Sequence, residues 1–160
     1  MRSRAERVGT ELLAPFVAAA VYLHAIHGEW LDDDPLAITG NRDVACPRGV
    51  RGLFDGAAQL WTDDFWGAPL SAPTSHLSYR PLTVLSFRLQ HALVGFQPRS
   101  FHVVNLILHA VATALCHAAA RTMLRTRSQA ALTALLFAVH AVHVECVANT
   151  VGRAELLSAI

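Results

Sequence analysis

FHVVNLILHAVATALCHAAA, running from Phe101 to Ala120, is twenty residues without a formal charge. A helix of that length crosses the apolar core of a bilayer. Its polar residues are ordered. His102, Asn105, His109, Thr113 and His117 recur at spacings of three and four, so they share one helical face, which should turn toward protein and away from lipid. Interhelical hydrogen bonding is the first role for such a face, ahead of direct substrate contact.

The rest of the chain agrees with a membrane setting. Of 160 residues 53% are hydrophobic and 16% charged, and the mean hydropathy is positive, a balance that departs from ordinary soluble domains. The formal net charge of +1 conceals segregation. All thirteen basic residues are arginines. Arg2, Arg4 and Arg7 precede the first apolar run, and Arg121, Arg125 and Arg127 follow the run at 101–120. Residues 27–78 hold eight of the twelve acids. Arginine excess marks the cytoplasmic side, so the N-terminus is expected in the cytoplasm and the acidic loop across the membrane. No nucleic-acid partner is expected.

Three spans are expected, at about 10–29, 101–121 and 129–148, with a loop over about 30–100 and a further span opening from about 153. The first apolar run resembles a signal peptide in its arginine-rich start, but Ala25-Ile26-His27 is a poor cleavage site, which favours a retained helix with Trp30 as an interfacial anchor. The loop is rich in turn residues, including Pro35, Gly40-Asn41, Pro47, Gly56 and Pro73. Short helices fit around Val50 to Trp61, and Arg80 to Gly95 reads as a horizontal interfacial helix. The final residues, Arg153 to Ile160, begin a helix-like run, so the chain is expected to be an N-terminal fragment or short isoform of something longer. Cys46, Cys116 and Cys146 read as small buried hydrophobes and not as a disulfide framework.

Three sets of residues could carry chemistry. Asp32-Asp33-Asp34 stands just past the first span, where Pro35 holds Asp34 extended; adjacent carboxylates repel, which suits one of them to accept a proton. His140, His143 and Glu145 are of ligand type. On a continuous helix, however, Glu145 lies about 200° from His143 at ~100° per residue, and no metal site is assigned. Arg80, Arg88 and Arg153 carry guanidinium forks that suit a lipid-linked phosphate or an anionic headgroup.

From Ser75-His76-Leu77-Ser78-Tyr79-Arg80-Pro81-Leu82-Thr83 to Arg88, the sequence resembles the transmembrane and tetratricopeptide-repeat (TMTC) family of O-mannosyltransferases. Further blocks agree in order: Asp33-Asp34-Pro35, Asn41-Arg42-Asp43, Asp63-Asp64-Phe65-Trp66-Gly67, Phe101-His102-Val103-Val104-Asn105 with His109, Leu136 to Glu145, and Val151-Gly152-Arg153-Ala154-Glu155. The resemblance implies an all-α membrane protein, the N-terminal part of a GT-C type multi-span helical bundle whose long lumenal loop carries short interfacial helices. It implies a multi-pass protein of the endoplasmic reticulum membrane. Such enzymes move mannose from dolichyl phosphate mannose to serine or threonine of secretory-pathway proteins such as cadherins. No cofactor is required beyond that donor, and a divalent metal is left open.

Carried onto this chain, the resemblance makes Asp33 or Asp34 the catalytic base. Arg80, Arg88, His140, His143 and Arg153 become candidates for donor phosphate and loop support, with Asp32 and Glu145 in supporting places. Family members usually have proline after the first histidine of the H-x-x-H block; Ala141 here predicts a helix that runs on. The family's later spans and tetratricopeptide repeats are absent, so this chain alone is expected to be inactive. The alternatives are a non-catalytic membrane adaptor of the endoplasmic reticulum and a metal transporter built on the histidines and Glu145.

Overall fold

A computed structural model describes residues 4–160; Arg2, one of the arginines that set the expected orientation, lies outside them. The chain is helical, with α1 (Arg4–Val21), α2 (Val50–Phe54), α3 (Pro81–Val94), α4 (Pro98–Met123), α5 (Arg127–Val139), α6 (His143–Ala148) and α7 (Arg153–Ser158). Short 3-10 turns at Leu23–His27, Gln59–Trp61 and Thr150–Gly152, and a π turn at Pro35–Thr39, complete it. Among the described residues there is no strand, only an isolated bridge between Asp63 and Pro69. One helix among them, α4, is long and apolar enough to cross a membrane. The first apolar run leaves α-helix at Val21, and α5 stops at Val139.

Local sequence explains the helix ends. Pro98 occupies the first turn of α4, where a missing N–H costs nothing. Thr126 and Gln129 form a reciprocal capping box that starts α5.

Helices α1, α4 and α5 pack on one another through small and polar residues. Ala14 and Ala18 of α1 and Ala130, Ala134 and Ala138 of α5 are buried at four-residue spacing, which lets the backbones approach closely. On α4 the inward face is His102, Asn105, His109, Thr113 and His117, all buried. The bulky apolar residues point outward instead: Phe16 is 72% exposed and Leu136 59%. Water would favour the reverse arrangement, whereas acyl chains accept this one.

The loop between α1 and α4 folds on a core of Ile38, Val44, Leu60, Phe65, Phe87 and Phe101. Trp30, expected as an interfacial anchor, sets its ring edge-on to Phe101 at 5.1 Å. Helix α3 buries Thr83, Arg88, Gln90 and His91 together with Val84, Phe87 and Ala92, and exposes Leu82, Leu89 and Leu93. Arg80 and Arg88 therefore do not share a surface: Arg80 precedes the helix as its N-cap, and Arg88 is 2% exposed.

Candidate functional site

The triple acid divides into unlike members. Asp32, with φ +39°, makes the turn. Asp33 is exposed, and among the described residues its carboxylate has no hydrogen-bond partner, though its backbone carbonyl accepts from Ala37 N. Asp34 is wholly buried. Its Oδ1 accepts from Val151 N at 2.8 Å, and its Oδ2 from Leu31 N at 3.1 Å and Thr150 N at 3.4 Å. A carboxylate held by several backbone N–H groups is strongly fixed. Asp34 thus ties the first loop to the junction of α6 and α7 and leaves Asp33 facing outward beside it.

That junction is fastened in turn to α4. Asn105 donates through Nδ2 to the carbonyls of Cys146, Asn149 and Thr150 at 3.2–3.4 Å, and its Oδ1 accepts from Arg153 Nε at 2.9 Å. Arg153 is buried, its Nη2 donating to Phe101 O at 3.1 Å and its Nη1 to Ser86 Oγ at 3.4 Å. Its guanidinium lies over Phe87 and Phe101, 4.6 and 5.2 Å from the ring centroids, a placement that only a planar cation fills well. The α6–α7 turn needs a glycine at 152, because a Cβ there would strike the Cys146 backbone.

Arg88 is engaged in the same way. Its Nε donates to Leu53 O at 3.0 Å, its Nη1 to Asp43 O at 2.7 Å, and its Nη2 to Gly52 O at 2.7 Å and to Asp55 O. Four carbonyls of the loop occupy the guanidinium that the resemblance offered to a donor phosphate. Arg80, by contrast, is partly exposed, 5.3 Å above the Phe65 ring and 3.7 Å from Glu155. It lines an open cleft of about 460 Å³ with Tyr79, Pro81, Leu82 and Leu157 among its walls.

The histidine pair lies at a break, not within a continuous helix. Although Ala141 permits a helix, α5 ends at Val139 and His140 is extended, with ψ 128°. Two local bonds and one distant one make the break: His140 Nδ1 accepts from Val142 N at 3.2 Å, and its carbonyl accepts from His143 N at 3.0 Å and from Tyr22 Oη at 2.9 Å. His140 is exposed, while His143 packs against Phe137 and His109, with centroids 4.3 and 4.9 Å apart. Glu145 is exposed. Among the described residues no group of three or more His, Cys, Asp or Glu is placed to hold a metal ion.

Two loop acids that the sequence placed in matching blocks, without a role, are shifted in opposite directions. Asp64 accepts from Ser75 Oγ at 2.7 Å and from the N–H groups of Trp66, Ala68 and His76. Burial pushes its carboxyl up, but the Ser75 hydroxyl and those three amides outweigh it, and the group titrates below its ordinary value. Asp43 shifts the other way, raised first by burial and then by Asp63, against the opposing pull of Arg42 and Arg88. The doublet at 63–64 was the available signal; its role in closing a loop needs positions far along the chain.

No protein-family model matches the chain, and no solved structure does. Curated proteins do. The chain is 43% identical over 158 residues to human "Protein O-mannosyl-transferase TMTC1", covering 92% of this chain and 17% of that protein. It is 42% identical over 144 residues to mouse "Protein O-mannosyl-transferase TMTC3", covering 90% and 15%, and 40% identical over 171 residues to human "Protein O-mannosyl-transferase TMTC4", covering 94% and 21%. It therefore spans about a fifth or less of the length of these relatives.

Proposed function

Because the chain belongs, over the stretch it spans, to the TMTC family of protein O-mannosyl-transferases, we propose that it forms the acid-bearing membrane region of such an enzyme, with Asp33 as general base. The observation that carries this reading is the division between the two acids: one exposed and, among the described residues, unpartnered, the other buried and tied down. A base must reach its substrate. Asp33 is free to do so, and Asp34 serves as the positioning residue that holds it.

The reaction follows from that assignment. Asp33 takes the proton of a serine or threonine hydroxyl as the oxygen attacks the anomeric carbon of mannose on dolichyl phosphate mannose. The bond from that carbon to the phosphate oxygen breaks, dolichyl phosphate leaves with the electron pair, and the configuration inverts. Arg80, the exposed guanidinium above an apolar-walled cleft, suits the leaving phosphate of a lipid. Arg88 and Arg153 act behind it, holding the loop and the α6–α7 junction. His140, exposed at its break, is placed for donor contact, and His143 supports it from within. The protein works as the N-terminal part of a GT-C type bundle in the endoplasmic reticulum membrane, and the remainder of the enzyme supplies acceptor recognition for partners such as cadherins.

The test replaces each acid in the full-length transferase that carries this segment. Asp33→Asn should lower mannose transfer by ~10²–10⁴-fold with no change in thermal stability. Asp34→Asn should lower both, because it strips a charged acceptor from buried N–H groups. Near-normal transfer by the Asp33 variant would remove the base assignment, and absence of transfer by the unsubstituted protein would favour the non-catalytic adaptor.

A further inference from the structure

Asn105 and Asp34 hold the same two peptide groups from opposite sides. The carbonyl of Asn149 and the N–H of Thr150 belong to one planar unit, and the carbonyl of Thr150 and the N–H of Val151 to the next. Asn105 Nδ2 donates to both carbonyls, at 3.2 and 3.4 Å, and the Asp34 carboxylate accepts from both N–H groups. A peptide group bonded at its oxygen also donates more strongly from its nitrogen. The amide of Asn105 can sit only one way round. Arg153 Nε donates and cannot accept, which fixes Oδ1 toward it, and the carbonyls can only accept, which fixes Nδ2 toward them. Asn105 is wholly buried, so it touches no substrate.

The grip matters because the Val151 amide has a rival acceptor. Val151 N lies 2.8 Å from Asp34 Oδ1 and 3.2 Å from Asn149 Oδ1, two residues back. The second contact is local to the junction and travels with it; the first exists only while the junction stands against the first loop. Thr150 N, 3.4 Å from Asp34 Oδ2, makes too long a bond to hold that arrangement alone. We propose that Asn105 is a positioning residue for the acid site, acting through these two peptide groups on Asp34 and thereby on Asp33. The inference rests on the reading of Asp33 as the base. It makes the buried face of α4 part of the acid site's support, although that face never meets the reacting atoms.

Asn105→Asp is the informative change, because it keeps the acceptor for Arg153 and turns an oxygen toward the carbonyls. On the chain in detergent, hydrogen exchange should quicken about tenfold across residues 31–37 as well as 146–151 through loss of the donor, while α5 keeps its protection. Thr113→Val is the control on the same face, since that hydroxyl bonds within α4 to His109 O, and it should leave 31–37 unaltered. Faster exchange confined to 146–151 would overturn the proposal. In the full-length transferase Asn105→Asp should lower kcat about a hundredfold, the scale of a ~1 Å misplacement, with the KM for the donor unchanged. Because the effect passes through Asp33, Asn105→Asp should cost nothing further in an Asp33→Asn background; an independent second loss there would overturn the proposal. Near-normal transfer by Asp33→Asn strikes the base and this role together. An inactive Asp33→Asn beside a normal Asn105→Asp strikes this role and leaves the base standing.

Discussion

Replacing Arg88 by lysine keeps the charge and removes the fork. The guanidinium reaches carbonyls of residues 43, 52, 53 and 55 at once, whereas an ammonium donates from a single point on a thinner stem. Hydrogen bonds to charged groups contribute ~1.5–3 kcal/mol each. If lysine keeps two or three of the four contacts, the loop loses about 3 kcal/mol, near the middle of that range for one or two lost bonds. At ~1.36 kcal/mol per factor of ten, amide exchange that proceeds by local opening should accelerate about a hundredfold across residues 43–55. Hydrogen exchange read by mass spectrometry on the chain in detergent measures this directly. Arg80→Lys is the control, since its exposed contact with Glu155 contributes little, and it should leave that protection unaltered. Unchanged exchange over 43–55 in Arg88→Lys, together with a raised Michaelis constant for the donor in the full-length enzyme, would return Arg88 to phosphate binding and refute its role as a loop clamp.

Asp64 makes the loop's stability depend on pH. Its folded value is depressed below the ordinary 3.8, so its contribution is fully present above that value and lost as pH falls through the folded one; proteolysis within residues 64–78 should accelerate only in strong acid, and Asp64→Asn should abolish the dependence. The expected topology has its own check: a glycosylation acceptor engineered beside Gly56 should be modified in microsomes, and an unmodified site would reverse the orientation.

Periodicity made the buried face of α4 legible, because spacings of three and four determine which residues stand together whatever they touch. It could not name their partners. Asn105 meets carbonyls more than forty residues away, and nothing local to it marks them. The same gap explains the arginines: a guanidinium within an amphipathic stretch reads as a surface charge, and only the folded loop reveals that its carbonyls surround Arg88. At the H-x-x-H block, local propensity pointed to a continuous helix. A side-chain cap by His140 and a hydroxyl from Tyr22, 118 residues distant, decided otherwise. Within the triple acid, sequence could not separate Asp33 from Asp34, because that distinction rests on amides at 150 and 151.

The bond from Val151 to Asp34 closes a separation of 117 residues, and this sets a clock on biogenesis. At synthesis rates of ~5–20 residues per second, the first loop waits roughly 6–23 s before its anchor exists. Through that interval α4 and α5 are made while Asp34 has no Thr150 or Val151 amide to meet. The anchorage of the first loop is therefore completed late, and a ribosome stalled anywhere before residue 150 leaves a nascent chain whose first loop is open to chaperones and proteases.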